Sequence, residues 1–395
     1  MKTAWKDPKT NIGGVARGEY YYPRTSIIEE IWRVLEKGNS VLIAAPRRVG
    51  KTSIMQYLNE NPKDEYETVF SNIQGIDSAD ELYRRIFDLI FSRLKRRKKI
   101  FKQIMIYLKT RNITEVDIKG KIKMEKAAID FEMELGKLIH EIDTSKKIKI
   151  ILLLDELPEV LFRLHKAGKT DEAISVLKNM REWRQNSRNR NILFVFAGSV
   201  GIHYVTNIID RRSAVLNDLS EIDCPPLEKD EFPAYIQWAT DKSTVQYSED
   251  LIHYLAGKIQ YFVPYFINLM LDEINITARK SNQPSINRSI IDTSFEKISQ
   301  GNQYFSDWEA RLRDYMQESD YAFCNELLTY LAHKEDLTLE IIYDKAVKHG
   351  ITDSYMSQID NLKKDGYIAE KDGRFSFVSP FLKAYWKHAN PVYHG

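Results

Sequence analysis

The stretch Val41–Ser53, Val-Leu-Ile-Ala-Ala-Pro-Arg-Arg-Val-Gly-Lys-Thr-Ser, holds residues whose types and order suit the binding of a polyphosphate. An apolar run reads as a buried strand, a tight turn closes on Gly50-Lys51-Thr52, and Ser53–Leu58 continues as a helix. In that order the backbone N–H groups of the turn and the positive end of the helix dipole face one point, which favours phosphate oxygens. Lys51 reaches the terminal phosphates, and the Thr52 hydroxyl takes one coordination position on Mg²⁺. Pro46, Arg47, Arg48, Val49, Gly50 and Ser53 complete the candidate phosphate-binding loop. The strict pattern opens with Gly, where this chain has Ala45.

A second constellation is Asp155-Glu156, which ends the apolar run Ile150–Leu154. An acidic pair at the C-terminal end of a buried parallel strand lies on the sheet edge where α/β proteins bind ligands. Phosphoryl transfer to water needs one carboxylate to hold Mg²⁺, largely through water, and a second to orient or deprotonate the nucleophile. Asp155 and Glu156 fit those roles in that order. Two solvated charges ending a strand are the plain alternative, weakened by the phosphate loop upstream. Glu159 falls to the helix that follows. Ser199, just after Leu193–Ala197, stands where a small polar residue can sense the terminal phosphate or hold the lytic water, or merely form a Gly198-Ser199 turn. Lys51, Glu156 and Ser199 are therefore the candidate catalytic residues. Arginines must also neutralise the charge on a transferring phosphoryl group. Arg47, Arg48, Arg181, Arg184, Arg188, Arg190, Arg211 and Arg212 are available, and no sequence criterion chooses among them.

Positioning these groups takes a sheet. Val41–Ala45, Val69–Ile73, Ile148–Leu154 and Asn191–Ala197 are short apolar runs, separated by stretches with helical spacing such as Ser26–Glu36 and about Asp171–Arg184. Continuous apolar strands alternating with helices predict a parallel sheet with helices on both faces, an α/β P-loop NTPase fold. After Cys224-Pro225-Pro226 the strand pattern stops, and Asp230 to about Gln300 reads as a small helical bundle. Asn302–Tyr315 bridges to a last block with three helical stretches, Tyr321–His333, Leu339–Lys348 and Ser354–Gly366. There Tyr367–Glu370 and Arg374–Val378 flank Lys371-Asp372-Gly373, a hairpin signal. Three helices and a hairpin predict a winged helix. The expected layout is an N-terminal arm (1–22), the α/β domain (23–226, with a basic helical region at about 80–142), a helical lid (227–301) and a winged-helix domain (302–395).

Composition bounds the partners. A chain of 395 residues is long enough for two or three domains. Lys+Arg 58 against Asp+Glu 56 leaves a net charge of +2, so nothing global draws the chain to nucleic acid or anionic lipid. The local exception is Arg93–Lys102, seven cations without an acid, which could grip nucleic-acid phosphates or a protein partner; a solvated helix face is the ordinary explanation. The third helix of the expected winged helix has balanced charge, which suits an interaction module better than a DNA reader. Cys224 and Cys324 lie far apart, and the eight histidines form no His-Glu-x-x-His pattern, so neither suggests a metal site. Without a signal-peptide pattern or an apolar run of about 18 residues, a cytoplasmic protein with no membrane association is expected.

On these residues the chain resembles the archaeal-type ATPases of the STAND branch of the AAA+ superfamily. Pro46-Arg47-Arg48-Val49-Gly50-Lys51-Thr52-Ser53 looks like their loop. Tyr22-Pro23-Arg24 occupies the place of their aromatic-x-Gly-Arg element, without the Gly. Asp155-Glu156, Gly198-Ser199 and Pro225-Pro226-Leu227 fall at their acidic, sensor and lid-entry positions. The resemblance implies ATP as the nucleotide with Mg²⁺, and a lid whose Gly-x-Pro element touches it. Phe262-Val263-Pro264 keeps the Pro and makes Pro264 the implied adenine contact. It also implies a C-terminal winged helix; the basic region at about 80–142 maps onto nothing in the family. The expected protein is a Mg²⁺-dependent ATP-binding and hydrolysing switch, with nucleotide state controlling lid and winged-helix arrangement. A protein partner, and oligomerisation or an arginine from a neighbouring subunit, fit that picture. The alternatives are a DNA-binding ATPase using the basic run and winged helix, or a nucleotide-bound scaffold without significant hydrolysis.

Overall fold

The computed structural model describes residues 4–95, 115–116, 122–123, 130–145, 148–186, 190–198, 201–210, 214–335 and 337–393. By internal contacts the chain divides into two compact units. One comprises Arg24–Ala44 and Lys51–Asp223; the other comprises Met1–Pro23, the loop Ala45–Gly50 and Cys224–Gly395.

The first unit contains α1 (Thr25–Glu36), β1 (Val41–Ala44), α2 (Lys51–Glu60), β2 (Tyr66–Asn72), α3 (Ala79–Lys95) and α4 (Phe131–Ser145). It continues with β3 (Lys149–Asp155), α5 (Leu157–Lys166), α6 (Thr170–Asn186), β4 (Ile192–Ala197), α7 (Ile202–Ile209) and β5 (Ser220–Asp223). The strands form one sheet in the order β2-β3-β4-β1-β5, with every pairing parallel. Every residue of β3 after Lys149 is buried. Successive side chains of a strand point to opposite faces, so helices cover both sides of the sheet here. Burial of each large aliphatic chain in this strand contributes about 1.5–3 kcal/mol.

Two elements escape the apolar-run criterion. Among the described residues β5 pairs on one side only, with β1, and of its four residues only Ile222 is buried. An edge strand half in solvent has no continuous apolar signature. α5 follows the acidic pair directly and has Pro158 as its second residue, whose missing N–H suits a first helical turn. Of the basic run, Arg93 sits in α3 and pairs with Glu67 of β2 at 2.6 Å, while residues 96–102 lie outside the described residues.

The second unit contains α8 (Glu231–Thr240), α9 (Glu249–Ile259), α10 (Pro264–Lys280), α11 (Arg288–Gln300), α12 (Asn302–Tyr315) and α13 (Glu318–His333). Then come β6 (Leu337–Thr338), α14 (Leu339–His349), α15 (Tyr355–Lys364), β7 (Ile368–Lys371), β8 (Arg374–Phe377) and α16 (Pro380–Ala389). β8 pairs antiparallel with both β6 and β7. The β7–β8 turn places Asp372 and Gly373 at φ 52° and 72°, left-handed values that an Asp-Gly hairpin turn accepts. Ser248 and Asn287 accept hydrogen bonds from Leu251 and Ile290 N–H, capping α9 and α11. The core is aromatic: Phe266, Phe305, Trp308 and Phe381 have ring centroids 5.6 to 6.2 Å apart, joining α10, α12 and α16. The N-terminal arm lies along α8 and α10. Lys9 N–H donates to Ala239 O at 2.7 Å, and Trp5 Nε1 donates to Asn275 Oδ1 at 3.0 Å. Among the described residues no helix is long and apolar enough to cross a membrane.

Candidate nucleotide-binding site

In the first unit, Lys51 and Thr52 open α2, and Asp155 ends β3 in register with Asn72 of β2 and Ala197 of β4. Asp155 therefore sits at the C-terminal edge of the sheet. The Thr52 hydroxyl donates to Asp155 Oδ2 at 2.5 Å. Asp155 is 1% exposed and Lys51 7%, with Ser53 buried behind them on α2. Burial pushes the Asp155 carboxyl up to about 6; the Thr52 hydrogen bond and the Lys51 charge oppose this, while Glu156 reinforces it. A hydroxyl and a carboxylate side by side are hard oxygen donors, the kind Mg²⁺ takes one or two of while keeping waters and phosphate oxygens. Among the described residues no three His, Cys, Asp or Glu side chains cluster as a metal site. One hydroxyl and one carboxylate fit an ion that takes its remaining oxygens from water and a polyphosphate.

Glu156 has φ 68° and ψ 31°, a left-handed conformation that costs a residue with a Cβ about 1–2 kcal/mol. Its N–H is tied to Ala197 O at 2.8 Å. Strain of this kind directly after a buried carboxylate is characteristic of functional positions. Gly198 has a packing reason: a Cβ there would lie 2.6 Å from Pro158 Cδ, so β4 and α5 can approach only with glycine. Ser199 lies outside the described residues, as do Arg188, Arg211 and Arg212.

Two of the remaining arginine candidates are structural. Arg184 is held by Asp218 at 2.6 and 2.9 Å and by Val215 O at 2.7 Å, with its side chain 4% exposed. Arg190 donates to Lys37 O at 2.7 Å. Both staple loops to the unit, a role that sequence spacing does not reveal. Among the described residues, Arg181 Nε is buried without a hydrogen-bond partner.

The loop Ala45–Gly50 belongs to the second unit. Gly50 has φ 103°, which L side chains rarely adopt, and Arg48 has φ 64°. Val49 is buried. The Arg48 guanidinium stands 4.6 Å from the ring centroid of Tyr265 on α10 and 3.3 Å from Asp307 Oδ2 on α12. Arg47 donates to Asp307 O at 3.1 Å and lies 5.5 Å from the Trp308 ring centroid. Burial, with Arg311 nearby, lowers the Arg47 guanidinium to about 10. Pro46 faces Gly366, where an added Cβ would come within 2.9 Å of the Pro46 Cβ. Pro264 is the first residue of α10, adjacent to Tyr265. It is not among the walls of a cleft of about 620 Å³ lined by Pro225, Pro226, Leu227, His253, Tyr261 and Phe262. Sequence reasoning aimed Arg47 and Arg48 at phosphate and had no signal for Asp307 or Trp308, which lie far along the chain.

A five-stranded parallel sheet with a Gly-Lys-Thr turn after β1 and an acidic pair after β3 defines the P-loop NTPase fold. Residues 15–208 match the family model described as Predicted AAA-ATPase. The chain is similar to the Walker-type ATPase PABY2304 of Pyrococcus abyssi, at 16% identity, 95% of this chain, 99% of that one and a TM-score of 0.62. It is also similar to the Aeropyrum pernix ORC2 protein in its ADPNP–ADP complexes, at 12% identity, 96% of this chain, 98% of that one and a TM-score of 0.54. At these identities the likeness is one of fold. No curated protein matches the sequence. The chain thus has the P-loop NTPase fold.

Proposed function

We propose that the protein binds ATP with Mg²⁺ and hydrolyses it, using nucleotide state to set the arrangement of a helical lid (227–301) and a C-terminal winged helix (302–395). The observation that carries this reading is the buried Asp155 carboxylate hydrogen-bonded to Thr52, beside the buried Lys51. The Lys51 ammonium and the backbone N–H groups of Arg47–Ser53 would bind phosphate oxygens, with Pro46 shaping the turn; Thr52 and Asp155 would hold the metal. Bound Mg²⁺ would supply charge neutralisation on the phosphoryl group. Glu156 would accept a proton from the attacking water; the phosphate-sensing role expected of Ser199 and the adenine contact expected of Pro264 belong to the same reading. That the A. pernix relative is described in ADPNP–ADP complexes supports a nucleotide at this fold.

The STAND-type switch is supported by the C-terminal elements, helices α13 to α15 followed by the β7–β8 hairpin. Leu339, Tyr343 and Val347 recur every fourth residue on α14 and are exposed, as is Met356 on α15. Lys345, Lys348 and His349 of α14 converge on Glu326 at 2.7, 3.0 and 2.7 Å. An apolar stripe with its neighbouring lysines already engaged suits a protein partner better than a phosphate backbone.

Turnover by the full chain beside Glu156→Gln, with Mg²⁺ and with or without DNA, tests the reading. Loss of about 10²-fold or more in Glu156→Gln with nucleotide still bound supports it. Equal turnover in the two proteins refutes the role of Glu156, and no turnover in either with nucleotide retained leaves the scaffold. Stimulation by DNA favours the DNA-binding reading.

A further inference from the structure

On α14 and α15 the apolar side chains divide between core and surface. Ile342 and Ala346 of α14, and Ile359 and Leu362 of α15, are buried, as an amphipathic helix requires. Leu339, Tyr343, Val347 and Met356 are instead 41%, 48%, 55% and 44% exposed. The first three lie four residues apart, a row of about 12 Å along α14. The Tyr343 ring meets Tyr355 edge-on at 5.8 Å, which joins this row to the first turn of α15, where Met356 follows. Single exposed apolar residues are ordinary, but four gathered on two joined helices form a patch on the order of 300 Å², the size that marks interaction sites.

The border of the patch is anionic. Glu340, Asp344 and Lys348 each follow a residue of the row by one position, about 100° around the helix. Lys348 is paired with Glu326, as is Lys345. Asp353 precedes α15, and Asp360 stands one turn past Met356; both are exposed, like Glu340 and Asp344. Among the described residues, Asp344, Asp353 and Asp360 form no ion pair. On α15, Lys363 pairs with Glu370 at 2.7 Å, and Lys364 stands two turns past Met356. Arg374, opposite Thr338 across the small sheet, has partners of its own.

We propose that this face docks a cationic amphipathic helix of a partner protein. Its apolar residues would cover Leu339, Tyr343, Val347 and Met356, and its Lys or Arg residues would lie beside Asp344, Asp353 and Asp360. A helix presents apolar anchors at i, i+4 and i+7, a spacing that a two-turn row can receive. The same carboxylates repel nucleic-acid phosphates. The proposal rests on reading the C-terminal elements as a protein-interaction module and is independent of nucleotide turnover. A patch of this size belongs to weak, transient contacts, so affinity in the micromolar range is expected.

The test titrates the full chain with a fluorescent synthetic helix bearing Leu on one face and Lys on the other. Its controls are a scrambled peptide of the same composition, a counterpart with Glu in place of Lys, and duplex DNA. The Leu–Lys helix should bind at least about tenfold more tightly than either control peptide, and more weakly as salt rises. Tyr343→Ser combined with Val347→Ser should lower its affinity about tenfold or more, with melting used to check that the variant is folded. Asp344→Asn combined with Asp360→Asn changes only the surface; it should lower affinity about two- to tenfold and flatten the salt dependence. Equal binding of the Glu peptide overturns the proposal, as does unchanged binding by both variants. So does self-association of the chain that Tyr343→Ser with Val347→Ser abolishes, since a second copy is then the occupant. Duplex DNA binding lost in that same variant removes the interaction-module reading and this proposal with it. Selective binding of the Leu–Lys helix by a chain without ATP turnover supports this proposal while the hydrolysis reading falls.

Discussion

Replacing Asp155 by Asn tests whether the fold holds this carboxylate at a cost, as a cation site should. Its value rises from 3.8 to about 6, chiefly through burial. That difference corresponds to about 3 kcal/mol of disfavoured charge in the folded protein. The sign follows from the direction: a carboxyl whose folded value lies above its unfolded one destabilises the fold fully above pH about 6. The stability returns as pH falls from about 6 toward 3.8. Asn removes the charge but weakens the bond from Thr52, since a neutral acceptor is worth about 1 kcal/mol less than an ionised one. The net gain near pH 8 is about 2 kcal/mol, or a rise of about 4–8 °C in the melting of a unit this size. Near pH 5 the gain shrinks to under about 1 kcal/mol. The assay is thermal melting of wild type and Asp155→Asn in chelator at both pH values, then with Mg²⁺ and ATP. The wild type should be stabilised by the metal–nucleotide complex, by about 2.7 kcal/mol at 100-fold excess over Kd, and the variant should lose the Mg²⁺-dependent part. An Asp155→Asn protein that melts lower than wild type near pH 8, or a pH-independent offset, would refute the argument.

Arg184→Ala should destabilise the first unit by about 3 kcal/mol, because it strands Asp218 and the Val215 carbonyl beside a buried cavity; denaturant unfolding checks this, and nucleotide affinity in the still-folded variant should be unchanged. Gly198→Ala should cost about 1–3 kcal/mol by driving a methyl against Pro158, displacing the segment that leads to Ser199. Melting temperature reads the first effect, and turnover beside nucleotide affinity reads the second.

Much of the fold was legible because its signals are local. The strand-turn-helix order around Lys51, the apolar strand ending in Asp155-Glu156 and the Asp-Gly hairpin each depend on residues adjacent in the chain. Backbone geometry turns such patterns directly into N–H groups, sheet edges and turns. β5 was hidden because an edge strand needs only one buried side chain, Ile222, and so leaves no period to read. Gly198 looked like half of a sensor motif, and only the approach of Pro158 supplies its packing reason.

The arginines mark the boundary most sharply. Their types and positions were plain, but a guanidinium on a long side chain takes its role from whichever oxygen or ring comes within reach. Arg184 found Asp218, Arg190 found the Lys37 carbonyl, and Arg47 and Arg48 found Asp307, Trp308 and Tyr265 from far along the chain. Sequence alone determined that this chain carries a phosphate loop and an acidic pair, because both are written in consecutive residues. Which charges sit on which partners, and that burial drives Asp155 up to about 6, was decided only by the tertiary structure, since desolvation and ion pairing depend on distances in space.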